Sequence, residues 1–151
     1  MPSIRETRRL AYSAEQIFDL VADVESYSEF LPWVIATRIK SNSDTKMVAD
    51  MVVGFKSIRE KFTSSVEKDR PRSIRVQYID GPLRDLDNQW LFRSAGPHAC
   101  EIDFSVDFAF KSRIFEALAG RYLDRAFRKM VAAFESRAAE LYGAPHVAAS
   151  G

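Results

Sequence analysis

The stretch from Lys111 to Tyr142 limits what this chain can become more than any other. Its apolar residues Phe115, Leu118, Ala119, Tyr122, Leu123, Ala126, Phe127, Met130, Phe134, Ala138 and Leu141 recur at the spacing of one helical face. Ser112 is placed to cap the start, and Gly143 followed by Ala144-Pro145 to end it. At 1.5 Å per residue such a helix is about 45 Å long, against a usual three or four turns. A helix of that length with a broad apolar face needs a large apolar surface to lie on, and the preceding residues must provide it as strands.

Ser3 to Tyr12 alternates weakly, and Arg5, Arg8 and Arg9 set among Glu6 and Thr7 suit an edge strand. Ser13-Ala14-Glu15-Gln16 reads as a capping box opening a short helix with Ile17, Val21 and Val24 on one face. A further turn from Val24 to Phe30 stops before Pro32. Strands are predicted over Val34–Lys40, Thr45–Phe55, Ser57–Lys68, Ser73–Ile79 and Asn88–Ser94, with Asp80-Gly81-Pro82 opening a loop from Leu83 to Asp87. The last strand is the clearest: Ile102, Phe104, Val106, Phe108 and Phe110 alternate with Glu101, Asp103, Ser105 and Asp107, giving one buried and one wet face. The expected class is α+β: a curved antiparallel sheet of seven strands wrapped around a long C-terminal helix, with two short helices after the first strand. Residues 1–144 are expected to form one domain and 145–151 a disordered tail.

Composition narrows the function. Twenty-two Lys and Arg stand against twenty-one Asp and Glu, so bulk charge does not argue for nucleic acid. Eleven Phe are a heavy aromatic load for 151 residues, suited to a large core or an apolar cavity. The lone Cys100 cannot form an internal disulfide and fits a reducing compartment. No run of eighteen apolar residues marks a transmembrane helix, so a cytoplasmic location is expected, with peripheral contact at the inner membrane as a further option. His98 and His146 have no partner at zinc-ligand spacing, no Gly-rich phosphate loop is present, and Asp103 and Asp107 point outward from their strand. No catalytic residues, metal or cofactor are expected.

Several motifs carry a resemblance. They are Tyr27-Ser28-Glu29-Phe30-Leu31-Pro32-Trp33, then Val53-Gly54-Phe55-Lys56-Ser57-Ile58-Arg59-Glu60-Lys61-Phe62-Thr63, then Asp80-Gly81-Pro82-Leu83 with Trp90-Leu91-Phe92, and finally Phe134-Glu135-Ser136-Arg137-Ala138. In this order and spacing, across almost the whole chain, they resemble the coenzyme Q-binding family of the START-like helix-grip superfamily, which also holds polyketide cyclases and lipid-transport proteins. That family includes mitochondrial ubiquinone-binding proteins and bacterial relatives described as ribosome-association toxins. Leu83 stands where the family usually has Phe after Gly-Pro.

The resemblance implies a cavity between the sheet and the last helix, able to accept ubiquinone or another polyprenyl lipid as carried ligand. Residues expected to line it are Phe30, Leu31, Trp33, Val53, Phe55, Glu60, Phe62, Tyr78, Leu83, Trp90, Phe92, Phe104, Phe108, Phe115, Leu118, Tyr122 and Phe127. Burying a CH₂ is worth about 0.8 kcal/mol, so each isoprene unit could contribute several kcal/mol before ordering costs. The N-terminal half of the long helix, where Gly120 leaves room, is the expected ligand wall, and the loop from Gly81 to Leu86 could gate it or simply connect two strands. Glu60, on the side of Ile58 and Phe62, could meet a quinone head group or form a salt bridge to a residue such as Arg38. Arg121, Arg125 and Arg128 sit on the opposite helix face, either solvated or docking acidic lipid head groups or ribosomal RNA. The leading reading is non-catalytic quinone binding that supports delivery in respiration or ubiquinone biosynthesis. Its rivals are a ribosome-associating module that blocks subunit association, and a cyclase-like enzyme using Glu60, Tyr78 and Arg38.

Overall fold

Alternating side chains make seven strands, and antiparallel pairing joins them into one sheet in the order β1-β7-β6-β5-β4-β3-β2. The computed structural model describes residues 3–55 and 58–143, without the side chains of Phe55, Ile58, Phe115, Leu118, Ala119 and Leu123. The expectation for the tail at 145–151 lies outside the described residues. The strands are β1 (Ser3–Leu10), β2 (Val34–Asn42), β3 (Lys46–Phe55), β4 (Ile58–Asp69), β5 (Ser73–Asp80), β6 (Leu83–Ser94) and β7 (Cys100–Phe110). The helices are α1 (Ala14–Ala22), α2 (Tyr27–Phe30) after a 3₁₀ turn at Val24–Ser26, and the thirty-residue α3 (Arg113–Tyr142).

The chain leaves β1 at one edge, crosses through α1 and α2 to β2 at the other, and meanders back until β7 lies beside β1. The capping box forms as read: Ser13 Oγ accepts from the Gln16 N–H at 3.1 Å, and Gln16 Oε1 accepts from the Ser13 N–H at 3.0 Å. Behind it Ile17, Phe18, Leu20 and Val21 are buried, with Phe18 edge-on to Phe92 at 5.6 Å. The bidentate pair from Arg70 to Asp19 (2.7 and 2.9 Å) ties the β4–β5 turn to α1. Residues paired across the ladder share a face, which gives the concave face Leu10, Met47, Ala49, Val66, Ile74, Trp90, Phe92 and Ile102, the core under α1 and α3.

The C-terminal half of α3 is held from several directions. Ala138 is wholly buried. Arg137 lies over the Phe30 ring at 5.3 Å and reaches Glu29 and Glu140 at 3.7 and 3.6 Å. Tyr142 Oη donates to the Gln16 carbonyl (3.0 Å), and Tyr12 Oη to that of Gly143 (2.9 Å). Among the described side chains of α3, only Phe127 and Ala138 are fully buried.

One element differs from the sequence reading. Leu83 to Asp87 is not a loop but the first part of β6, with Leu83 opposite Phe110 and Leu86 opposite Phe108. The register slips at Arg84, and this bulge breaks the period of two on which recognition of a strand depends.

Candidate functional site

The convex face of the sheet is closed by ion pairs. Arg5–Asp107, Arg75–Asp87 and Arg93–Asp103 bridge neighbouring strands. On β3 the carboxylate of Asp50 is buried, accepting from Thr63 Oγ1 at 2.6 Å, with Lys40 Nζ at 3.7 Å. That hydrogen bond, with help from Lys40, Lys61 and Arg38, holds the Asp50 carboxyl below the usual carboxylate range. Arg38 stands opposite Asp50 on this face, whereas Glu60 pairs with Val53 on the concave one. The salt bridge expected between Glu60 and Arg38 therefore does not form, because a backbone sheet separates them. No ion pair to Glu60 occurs among the described residues.

The concave face is only partly covered. Met51, Val53, Phe62, Val76, Val106 and Phe110 are half-buried, forming an apolar trough under the first half of α3. Its polar groups are few. Tyr78 Oη accepts from the Leu83 N–H (3.0 Å), and burial pushes the phenol up. Asn88 donates to the Ser105 carbonyl (2.9 Å) and accepts from Trp90 Nε1 (2.8 Å), so it holds the indole in place. Gly81 closes the turn below Tyr78 at φ +144°; a Cβ there would stand 2.8 Å from the Lys61 carbonyl oxygen and 3.0 Å from Tyr78 Oη.

A cavity of about 50 Å³ opens farther along, at the seam between β1 and α3. Its walls are Leu10, Ile17, Leu20, Val21, Trp90, Ile102, Phe104, Phe127, Met130, Val131 and Phe134. The rings take up most of the interior: Trp90 to Phe104 is 4.7 Å, Phe104 to Phe127 5.2 Å and Trp90 to Phe134 5.7 Å between centroids. At its rim Arg8 reaches Glu135 at 3.0 Å and Glu6 at 3.2 Å. Outside lies a groove of about 430 Å³ that shares Glu6, Arg8, Phe127, Val131 and Glu135 with the cavity and adds Asp124 and Arg128, which form an ion pair. A polar groove thus leads past a three-residue ion cluster into a hydrocarbon interior. The inner space is below the few hundred Å³ of a filled ligand pocket, while the groove outside is within that range.

Three of the predicted lining residues, Trp90, Phe104 and Phe127, are brought together at this cavity. Val53, Glu60, Phe62, Tyr78, Leu83 and Phe108 belong to the trough, with Leu83 and Phe108 buried at its floor. Phe30, Leu31, Trp33 and Phe92 pack in the core: Phe30 and Phe134 meet edge-on at 5.3 Å, and the Trp33 carbonyl accepts from the Gly54 N–H. Tyr122 is half-buried on α3, and the side chains of Phe55, Phe115 and Leu118 lie outside the described residues. Leu83, buried to 2 % and paired to β7, is no gate. Among the described residues the cavity lies beside the second half of α3, and Gly120 faces open space. Sequence reasoning set Met130 on the inner face of the helix but missed Leu10, Leu20, Val131 and the Glu6–Arg8–Glu135 rim. The one available signal was a pair of opposite charges two apart on an edge strand, on the same face as Leu10.

Among the described residues no group of His, Cys, Asp and Glu side chains is placed to hold a metal, and no helix is long and apolar enough to cross a membrane. Cys100 is wholly buried, which pushes its thiol up to about 11.

An antiparallel sheet curled around one long helix, with an apolar interior reached at the seam, defines a START-like helix-grip protein. The chain belongs to the family of polyketide cyclase/dehydrase and lipid transport proteins, whose profile matches residues 10–135. Across 95% of this chain and 91% of the relative it is 37% identical to the Ribosome association toxin RatA of Escherichia coli. It is 34% identical to the mitochondrial Coenzyme Q-binding protein COQ10 homolog B of Xenopus laevis, over 94% of this chain and 60% of that protein. The solution structure of an 18 kDa protein from Caulobacter crescentus is similar at 37% identity, TM-score 0.76, covering 95% of this chain and all of that one. The Zhui aromatase/cyclase of Streptomyces shares the fold at 16% identity and TM-score 0.78, over 99% of this chain and 98% of that chain.

Proposed function

We propose that the protein binds an isoprenoid lipid, a polyprenyl quinone such as ubiquinone, and carries it without altering it, for respiration or quinone biosynthesis. The observation that carries this reading is the hydrocarbon-lined cavity behind the Glu6–Arg8–Glu135 rim. An apolar tail gains by entering, and the Arg8 guanidinium is placed to donate to the carbonyl oxygens of a quinone head. The rim charges are 36 to 44 % exposed, and ion pairs so exposed are worth about 0–1 kcal/mol each, so opening the mouth costs little. Loading must enlarge an interior of about 50 Å³. The half-buried residues of the trough supply the slack. The named homologue that binds coenzyme Q supports the choice of ligand. Glu60, Tyr78 and Arg38 do not converge, since Arg38 faces the other side of the sheet, which supports a carrier rather than an enzyme. The site of action is proposed to be the cytoplasm with contact at the inner membrane.

Solvent extraction of the purified protein followed by mass spectrometry should recover a polyprenyl quinone; a protein that leaves the cell free of lipid would contradict the reading. Val131→Trp, which fills the cavity from its half-buried wall, should lower quinone retention about tenfold, equivalent to ~1.4 kcal/mol, with the circular dichroism kept.

A second reading rests on the exposed Arg121, Arg125 and Arg128 of α3 and on the ribosome-associating relatives. It expects salt-sensitive cosedimentation with ribosomal subunits, lost in Arg121→Glu/Arg125→Glu and indifferent to bound lipid.

A further inference from the structure

We propose that the end of the molecule where α3 begins is a docking surface for a bilayer of anionic phospholipid. Three backbone features gather its residues. Lys111 donates its N–H to the Pro82 carbonyl at 3.4 Å, joining the start of α3 to the β5–β6 turn. Leu83 pairs with Phe110, which brings Arg84 to the same place. The Lys61 carbonyl backs against Gly81 in that turn.

Two aliphatic side chains project from this end. Ile114, in the first turn of α3, is 80% exposed, and Ile79 is 53% exposed. Ile79 is the extra residue of a bulge: Thr63 pairs with Asp80 and Ser64 with Tyr78, so Ile79 has no partner on β4. Around them stand the exposed cations Lys61, Arg84, Lys111 and Arg113, against the exposed carboxylates of Asp80 and Asp85. Glu116 is turned back, accepting from the Phe110 N–H at 3.2 Å.

Projecting isoleucines within a cationic rim match one kind of partner. Aliphatic side chains gain by entering the acyl boundary while Lys and Arg neutralise acidic head groups. A nucleic acid would use the cations, but gains its further affinity by stacking on planar groups, which isoleucine lacks. The same end adjoins the trough residues Tyr78, Leu83 and Phe110. The surface adds to the carrier reading, and vesicles without quinone test it apart from that reading.

The test is sedimentation with vesicles of phosphatidylcholine, with and without phosphatidylglycerol. Binding is expected only with phosphatidylglycerol, weakening as salt rises. Lys111→Gln and Arg113→Gln should each weaken it about fivefold. Ile114→Asp should weaken it by about tenfold or more, with the melting temperature unchanged because the side chain is exposed. Failure of the wild-type protein to bind anionic vesicles at low salt would overturn the proposal, as would equal binding to phosphatidylcholine alone. So would a charge-dependent affinity for ribosomal RNA that matches the vesicle affinity and is untouched by Ile114→Asp.

Discussion

Asp50 shows how one side chain reports on its surroundings. It is a carboxylate on the wet face of a strand, yet only 6% exposed, with Thr63 donating to it at 2.6 Å and Lys40 Nζ at 3.7 Å. Its carboxyl titrates below the unfolded value of about 3.9. The stabilisation it contributes is therefore complete above that pH and is lost as pH falls through the folded value. Thr63→Val removes the donor from a buried acceptor and should cost about 1–3 kcal/mol at neutral pH. It should also flatten the loss of stability between about pH 5 and about pH 2, measured by urea unfolding across that range. At Cys100, burial keeps the thiol protonated at neutral pH, so alkylation by iodoacetamide should require unfolding.

At the scale of the element, α1 links stability to the site. Its Ser13–Gln16 box satisfies two terminal donors, and its Ile17, Leu20 and Val21 wall the cavity. Ser13→Ala should cost about 1 kcal/mol of stability by thermal melting, and should loosen ligand retention because the wall frays with the cap. The capping box was legible because it is local: four residues carry all its chemistry. The alternation in β7 was legible for the same reason, and so was the period of α3. Extending β6 back to Leu83 was not, since a bulge at Arg84 erases the alternation while the ladder to β7 continues. Recognising that extension needs the partner strand, which lies more than twenty residues away in sequence.

At the scale of the whole molecule, the last turns of α3 are tied to the short helices. Ala138, Arg137 and Tyr142 join α3 to α1 and α2, while Arg113, Ile114, Ala117, Arg121 and Arg125 are exposed. Tyr142→Phe, which removes the donor to the Gln16 carbonyl, should speed exchange of the backbone amides over 138–142, by hydrogen–deuterium exchange. The general site, an apolar space between sheet and last helix, was foreseen, with Phe127 in its wall; the part played by Val131 and the charged rim were not. Arg8 and Glu135 meet across more than a hundred residues, and no local pattern encodes that contact.

The amino-acid sequence alone determined the elements, the face each side chain takes, and the pairing of seven strands with one long helix, because periods of 2 and 3.6 are written residue by residue. Tertiary structure decided which strand edge lies against α3, where bulges turn Ile79 and Arg84 outward, and how much space the rings leave. Such a space is a small difference between large packed volumes, set by long-range contacts that periodicity does not record.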